Sequence, residues 1–169
     1  MIIPHFPENG RVFMNVYRIF TYNTSSLIKS AIIAFCTCRR FSACAKVGMN
    51  MVCACPQGYQ PDPVIVKTAQ EDAVHTGCTI EVDDDLFRAS KGADVLYTDV
   101  WASMGQESEQ SIRQEALGEY QINKELLAVA RPDAMVLHCL PAHRGEEITE
   151  DVLEGPQSKI FDQANNAKP

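Results

Sequence analysis

The amino-acid sequence predicts an α/β fold: a doubly wound, mainly parallel sheet with helices on both faces. Three observations carry this expectation. From about Ala43 onward short apolar runs alternate with stretches of helical length, the signature of parallel strands joined by helical crossovers. The runs are apolar almost throughout rather than alternating, as strands covered on both faces are. Gly, Pro and Asp fall between the runs, where helix caps and stops are needed.

Taken in order, Ala43 to Val47 reads as the end of a helix stopped by Gly48, and Met49 to Cys55 as a strand. Pro56, Gly58, Pro61 and Pro63 then break the chain. Asp62 is placed to cap the next helix, with Pro63 in its first turn, where a missing N–H costs nothing. That helix is expected to reach Thr76, with Gly77 as its stop. Thr79 to Val82 reads as a short strand. Asp83 is expected to cap a brief helix through Ala89, closed by Gly92, and Val95 to Thr98 is the next strand, ending at Asp99. Helices are expected over Ser108 to Leu117 and Asn123 to Ala130, before Pro132-Asp133 turns the chain into a strand at Met135 to Leu137.

The 42 residues ahead of this rhythm read differently and form a separate segment, residues 1–42. Through Pro61 the chain holds six Lys or Arg against one acid, Glu8, whereas from Asp62 it holds nine against twenty-one. Ser26 to Phe35 has the makings of a core helix, with Thr24-Ser25-Ser26 as N-cap candidates. A basic, acid-poor start is also compatible with a mitochondrial transit peptide, the alternative to a cytoplasmic location. The acidic body has scattered cations, which argues against a nucleic-acid surface. The apolar run Ser30 to Cys38 is too short to span a membrane. No Gly-rich phosphate loop follows any strand, so no nucleotide cofactor is expected.

Seven cysteines are an odd number with no secretory signal, and the Cys36-Thr37-Cys38 and Cys53-Ala54-Cys55 spacings are too tight for zinc. Reduced thiols and no metal are the expectation. One thiol stands apart. In Met135-Val136-Leu137-His138-Cys139-Leu140-Pro141-Ala142-His143-Arg144-Gly145-Glu146-Glu147 an apolar strand opens onto a thiol, two imidazoles, a guanidinium and two carboxylates. If this strand neighbours Val95 to Thr98 in a parallel sheet, Cys139 and Asp99 meet at one carboxyl edge, where open α/β sheets bind ligands. The loop after Asp99 adds Ser103, Met104 and Gly105. A carboxylate can hold an ammonium, and a hydroxyl with backbone N–H groups can hold a carboxylate, which together suit a small amino acid. Taken singly, Cys139 reads as a small buried hydrophobe, and Asp99 and Ser103 as ordinary loop residues.

Taken together, His138-Cys139-Leu140-Pro141 and Asp99-Val100-Trp101-Ala102-Ser103-Met104-Gly105 resemble the ornithine-binding half of ornithine carbamoyltransferases. Cys53 to Asp62 and Gly155 to Asp162 are also similar to segments of that family, so the resemblance runs from about Ala43 to Asn166. It implies residues 43–169 as an ornithine-binding domain and transfer of a carbamoyl group from carbamoyl phosphate to L-ornithine, giving citrulline, in arginine metabolism. It implies Cys139 as proton acceptor beside the δ-nitrogen. Asp99, Ser103 and Met104 would hold the α-amino and α-carboxylate ends, and Leu140 would supply a backbone contact. The resemblance implies a homotrimer for the full-length enzyme. A thiolate base needs nearby cations, and His138, His143 and Arg144 are the candidates that lie close in sequence.

Three departures from the pattern qualify it. No Ser-Thr-Arg-Thr-type phosphate loop precedes Ala43, the Gly-Asp-Gly-Asn-Asn-type turn is replaced by Cys36-Thr37-Cys38-Arg39-Arg40, and no arginine follows Asn165-Asn166. The expectation is a partial chain, inactive alone, that takes carbamoyl phosphate only if the missing domain is supplied. A non-catalytic amino-acid-binding or assembly module is the alternative.

Overall fold

The structure is a computed structural model that describes residues 16–20, 37–101 and 110–166. Its sheet contains β1 (Val16–Phe20), β2 (Asn50–Ala54), β3 (Ile80–Asp83), β4 (Val95–Thr98) and β5 (Met135–His138). The spatial order is β3-β2-β1-β4-β5. β2 pairs with β3, and β4 with β5, in parallel, while β1 runs antiparallel to both β2 and β4. Four of the five strands therefore point the same way. The mainly parallel α/β fold is as expected; the central antiparallel strand was not.

The helices are α1 (Thr37–Val47), α2 (Pro63–Thr76), α3 (Leu86–Ser90), α4 (Gln110–Leu117), α5 (Lys124–Val129), α6 (Glu150–Leu153) and α7 (Ile160–Asn166). Their ends follow local chemistry. The Asp62 carboxylate accepts the Val64 N–H at 2.8 Å with Pro63 in the first turn. Gly77 closes α2 at φ +73°, donating to the Ala73 carbonyl, a backbone state that costs glycine nothing. The expected cap for α3 is corrected from Asp83 to Asp85, whose carboxylate accepts the Arg88 N–H at 2.9 Å. Asp83 is still in the sheet, paired with Ala54 and accepting the Cys55 N–H, so its backbone cannot also open a helix. The expected helix at Ser26 to Phe35 lies outside the described residues.

Alternation along the strands sends side chains to two separate cores. Val52 and Ala54 of β2, Leu96 of β4 and Val136 of β5 pack with Leu86, Ile122, Leu126, Ile148 and Ile160 on one face. Met51 and Cys53, Val95 and Tyr97, and the flanking Met135, Leu137 and Cys139 pack with Phe41, Cys44, Ala45, Ala69 and Ala73 of α1 and α2 on the other. Each fully buried residue of this size contributes about 1.5–3 kcal/mol through removal from water. The two-sided burial explains why the strands read as continuous apolar runs. Beside β5, the 155–159 segment lies parallel to it. Val136 donates to Gln157 and accepts from Lys159, each at 2.9 Å. That docking sets α7 against the sheet and aims Gln163 at Tyr97, whose hydroxyl accepts from its Nε2 at 3.2 Å.

Candidate active site

β4 and β5 pair in register, Tyr97 with Leu137 and Thr98 with His138. The residue after each strand, Asp99 and Cys139, therefore emerges at the same carboxyl edge. The two side chains meet: the Cys139 Sγ–H donates to Asp99 Oδ1 at 2.6 Å. The same oxygen accepts the Val100 N–H at 2.9 Å, so Asp99 also serves its own loop. Asp99 Oδ2 faces the Arg40 guanidinium at 3.6 Å. Arg40 comes from α1, is only 5% exposed, and lies over the Tyr97 ring at 4.0 Å from its centroid. The assembly is thus a thiol, a carboxylate, a guanidinium and an aromatic face on one side of the sheet.

The surroundings of that thiol set its protonation. Burial, then the Asp99 charge and its hydrogen bond, push Cys139 up to about 12 from its usual 9.0, with Arg40 pulling the other way. In this state Cys139 is a thiol and a hydrogen-bond donor, not a thiolate. The local cation is Arg40, not His138, His143 or Arg144. Cys139 belongs to the α1/α2 face, whereas the imidazole of His138, one residue earlier, points to the opposite face as strand alternation requires. There His138 Nε2 meets Glu147 Oε1 at 3.0 Å, with both side chains fully buried. Arg144 is spent on Glu150 at 2.7 Å and Glu154 at 2.6 Å. His143 lies 3.6 Å from Glu146 through Nδ1.

The His138 and Glu147 pair shapes the loop rather than the thiol. The Leu140 N–H donates to His138 Nδ1 at 2.8 Å. A backbone N–H can only donate, so Nδ1 is the bare nitrogen and Nε2 carries the proton given to Glu147. Glu147 Oε1 also accepts the His143 N–H at 2.6 Å. These bonds hold Leu140 at φ +51°, ahead of a cis Leu140-Pro141 bond. A left-handed φ in a branched residue costs about 1–3 kcal/mol and persists only where its surroundings impose it. With its N–H already taken, any backbone contact of Leu140 to a ligand falls to its carbonyl.

Of the sequence-derived site residues, Cys139, Asp99 and Leu140 stand together, while Ser103 and Met104 lie outside the described residues. At the near end of that loop the Trp101 carbonyl accepts from Arg113 Nη1 at 3.3 Å. Arg40 and Glu147 were not anticipated. The signal for Glu147 was its place in the dense His-to-Glu loop; Arg40 sits in the segment that departs from the family pattern. Cys44, Cys55, Cys78 and Cys139 are not in disulfides. His143, Glu146 and Glu147 bring three ligand-type atoms within 4.8 Å of one another, but one of the Glu147 oxygens already serves the loop.

Comparison with known proteins fits this geometry. Residues 38–168 match the family described as aspartate/ornithine carbamoyltransferase, Asp/Orn binding domain. The chain belongs to that family. It is 54% identical over 123 residues to the ornithine carbamoyltransferase of Gloeobacter violaceus, covering 73% of this chain and 39% of the relative. To that of Acidothermus cellulolyticus it is 55% identical over 129 residues, covering 76% and 41%. Among solved structures, the Pyrococcus furiosus ornithine carbamoyltransferase superposes with TM-score 0.73 and 46% identity, over 78% of this chain and 42% of that one. The chain thus spans about two fifths of the length of the relatives it matches. The carbamoyltransferase resemblance seen in the two strand-end motifs is borne out at the level of the family.

Proposed function

We propose that this chain is the ornithine-binding half of an ornithine carbamoyltransferase, residues 43–169 carrying that domain's motifs, with part of residues 1–42 built into the same unit as β1 and the start of α1. The observation that carries the reading is the convergence of Cys139 and Asp99 at 2.6 Å on the carboxyl edge of two parallel strands, where small ligands bind in such sheets. Asp99 holds the α-ammonium of L-ornithine, and Ser103 and Met104 take the α-carboxylate from the following loop. The δ-amine attacks the carbamoyl carbon of carbamoyl phosphate, a C–N bond forms, and the C–O bond to phosphate breaks with its electron pair leaving on phosphate. Cys139 first gives its own proton to solvent, and the proton released from nitrogen then goes to the thiolate.

Ligand binding itself favours the ionisation. Burial is the first cause of the upward shift on Cys139 and the Asp99 charge the second, and an ammonium seated directly on Asp99 would offset that charge more closely than the Arg40 guanidinium does at 3.6 Å. Carbamoyl phosphate would be bound by a separate domain, in a full-length enzyme that assembles as a cytoplasmic homotrimer in arginine metabolism. The chain alone is expected to bind L-ornithine in calorimetry and to give no citrulline when carbamoyl phosphate is added. Turnover at an ordinary enzymatic rate of about 1–1000 per second would overturn the fragment reading. The second reading, a binding or assembly module without catalysis, draws on the protonated state of Cys139; saturable binding that leaves Cys139 reactivity unchanged would favour it.

A further inference from the structure

The least expected group at the site is Arg40. Its neighbours in α1, Phe41, Cys44 and Ala45, are fully buried hydrophobes, and a guanidinium among them must find compensating partners. It finds the Asp99 carboxylate at 3.6 Å and the Tyr97 ring at 4.0 Å. A guanidinium cannot escape burial by losing its proton, as a lysine can, so the charge stays wherever the side chain stays. The Asp99 oxygens are divided between two sets of partners. Oδ1 is held by the Val100 N–H and the Cys139 thiol, and Oδ2 is the side turned to Arg40.

We propose that Arg40 is a built-in occupant of the amino-acid site: its guanidinium stands against Asp99 where a ligand's α-ammonium would stand, so that binding an amino acid requires displacing Arg40. The inference rests on the reading of Asp99 as the α-ammonium ligand. Two cations cannot crowd one carboxylate oxygen without mutual repulsion, and a tethered cation has the advantage of a high effective concentration. Arg40 thereby sets the threshold affinity of the site. It acts on the α-amino end common to all amino acids, not on the side-chain end that distinguishes them.

Arg40→Met tests this, because methionine keeps an apolar stem for the Tyr97 contact and removes the charged head. In calorimetry the variant is expected to bind L-ornithine at least tenfold tighter than the native chain, about 1.4 kcal/mol. L-norvaline, which has the same α-ammonium and no δ-amine, should gain by a similar factor. Adding Asp99→Asn should abolish the gain. Equal affinities for native and R40M would overturn the inference while leaving the ornithine reading intact. A ligand-free arm separates the two: thermal midpoints of native, R40M, D99N and the double variant should be non-additive, as for groups in contact. Additive midpoints would place Arg40 away from Asp99 and overturn the inference directly. Coupled midpoints with no amino-acid binding by native or R40M would overturn the ornithine reading, and the inference with it.

Discussion

Truncating Glu147 should be among the most damaging single changes in the described part of the chain. Its Oε1 accepts two donors, His138 Nε2 at 3.0 Å and the His143 N–H at 2.6 Å, and the side chain is fully buried. Glu147→Ala leaves both donors inside the protein with no acceptor, and each buried unsatisfied group costs about 1–3 kcal/mol. The two together give about 2–6 kcal/mol, before any cavity is counted. Glu147→Gln keeps an oxygen where both donors need it, loses the charge assistance and places amide hydrogens at the buried Oε2 position, which has no partner, about 2–4 kcal/mol in sum. Against a total stability of about 5–15 kcal/mol, the alanine variant, with its cavity added, lies nearer the edge of folding than the glutamine variant. Urea unfolding followed by circular dichroism measures both, with the shift read from midpoints at constant slope. If the alanine variant lost no more stability than the glutamine variant, Glu147 would not be the buried acceptor described, and the account of how Leu140 is held at positive φ would go with it.

Other changes test neighbouring parts of the structure. Leu96→Ala removes a fully buried β4 side chain and should cost about 2–5 kcal/mol in the same assay; a shift below about 1 kcal/mol would contradict a packed core there. Arg144→Ala should leave the urea midpoint and the alkylation rate of Cys139 unchanged, because Arg144 pairs on the surface with Glu150 and Glu154. A slowed Cys139 would restore Arg144 as its cation. Cys44 and Cys139 are both pushed up to about 12 from 9.0. The unfolded chain would therefore release their protons before the folded one does. Their contribution to stability is complete below about pH 9 and declines as the pH climbs toward 12. Thermal midpoints from pH 8 to 11 should fall in the native chain, and fall less in a Cys44→Ala, Cys139→Ala variant; parallel curves would assign the alkaline loss to other groups.

The parallel strands were legible because burial on both faces and crossover helices leave a coarse periodic imprint that survives without knowledge of any contact. Asp62 and Pro63 were legible because capping is local chemistry. The meeting of Asp99 and Cys139 followed from topology alone: the residues after two adjacent parallel strands share an edge. What failed involved direction or distance. His138 was read as an electrostatic neighbour of Cys139 because it is adjacent in sequence, although alternation along a strand sends adjacent side chains to opposite faces. Arg40 lies 59 positions before Asp99 in the chain, and no local rule links a helix residue to a strand end that far away. The run Val16-Tyr17-Arg18-Ile19-Phe20 does carry the β-branched and aromatic character of a strand. It was passed over because the surrounding basic segment shares neither the rhythm nor the punctuation of the rest.

That run occupies the middle of the sheet, with β2 on one side and β4 on the other. Every backbone hydrogen bond between the β3-β2 pair and the β4-β5 pair passes through it. If those five residues were withdrawn, β2 and β4 would each present a bare row of N–H and C=O groups, mostly apolar and without the charges or prolines that guard natural edges. Self-association would then be governed less by the exposed surface of the folded chain than by how often β1 leaves its slot. Removing residues 16–20 should raise the binding of amyloid-sensitive dyes by the chain, a failure mode set by the strand least like the rest of the sequence.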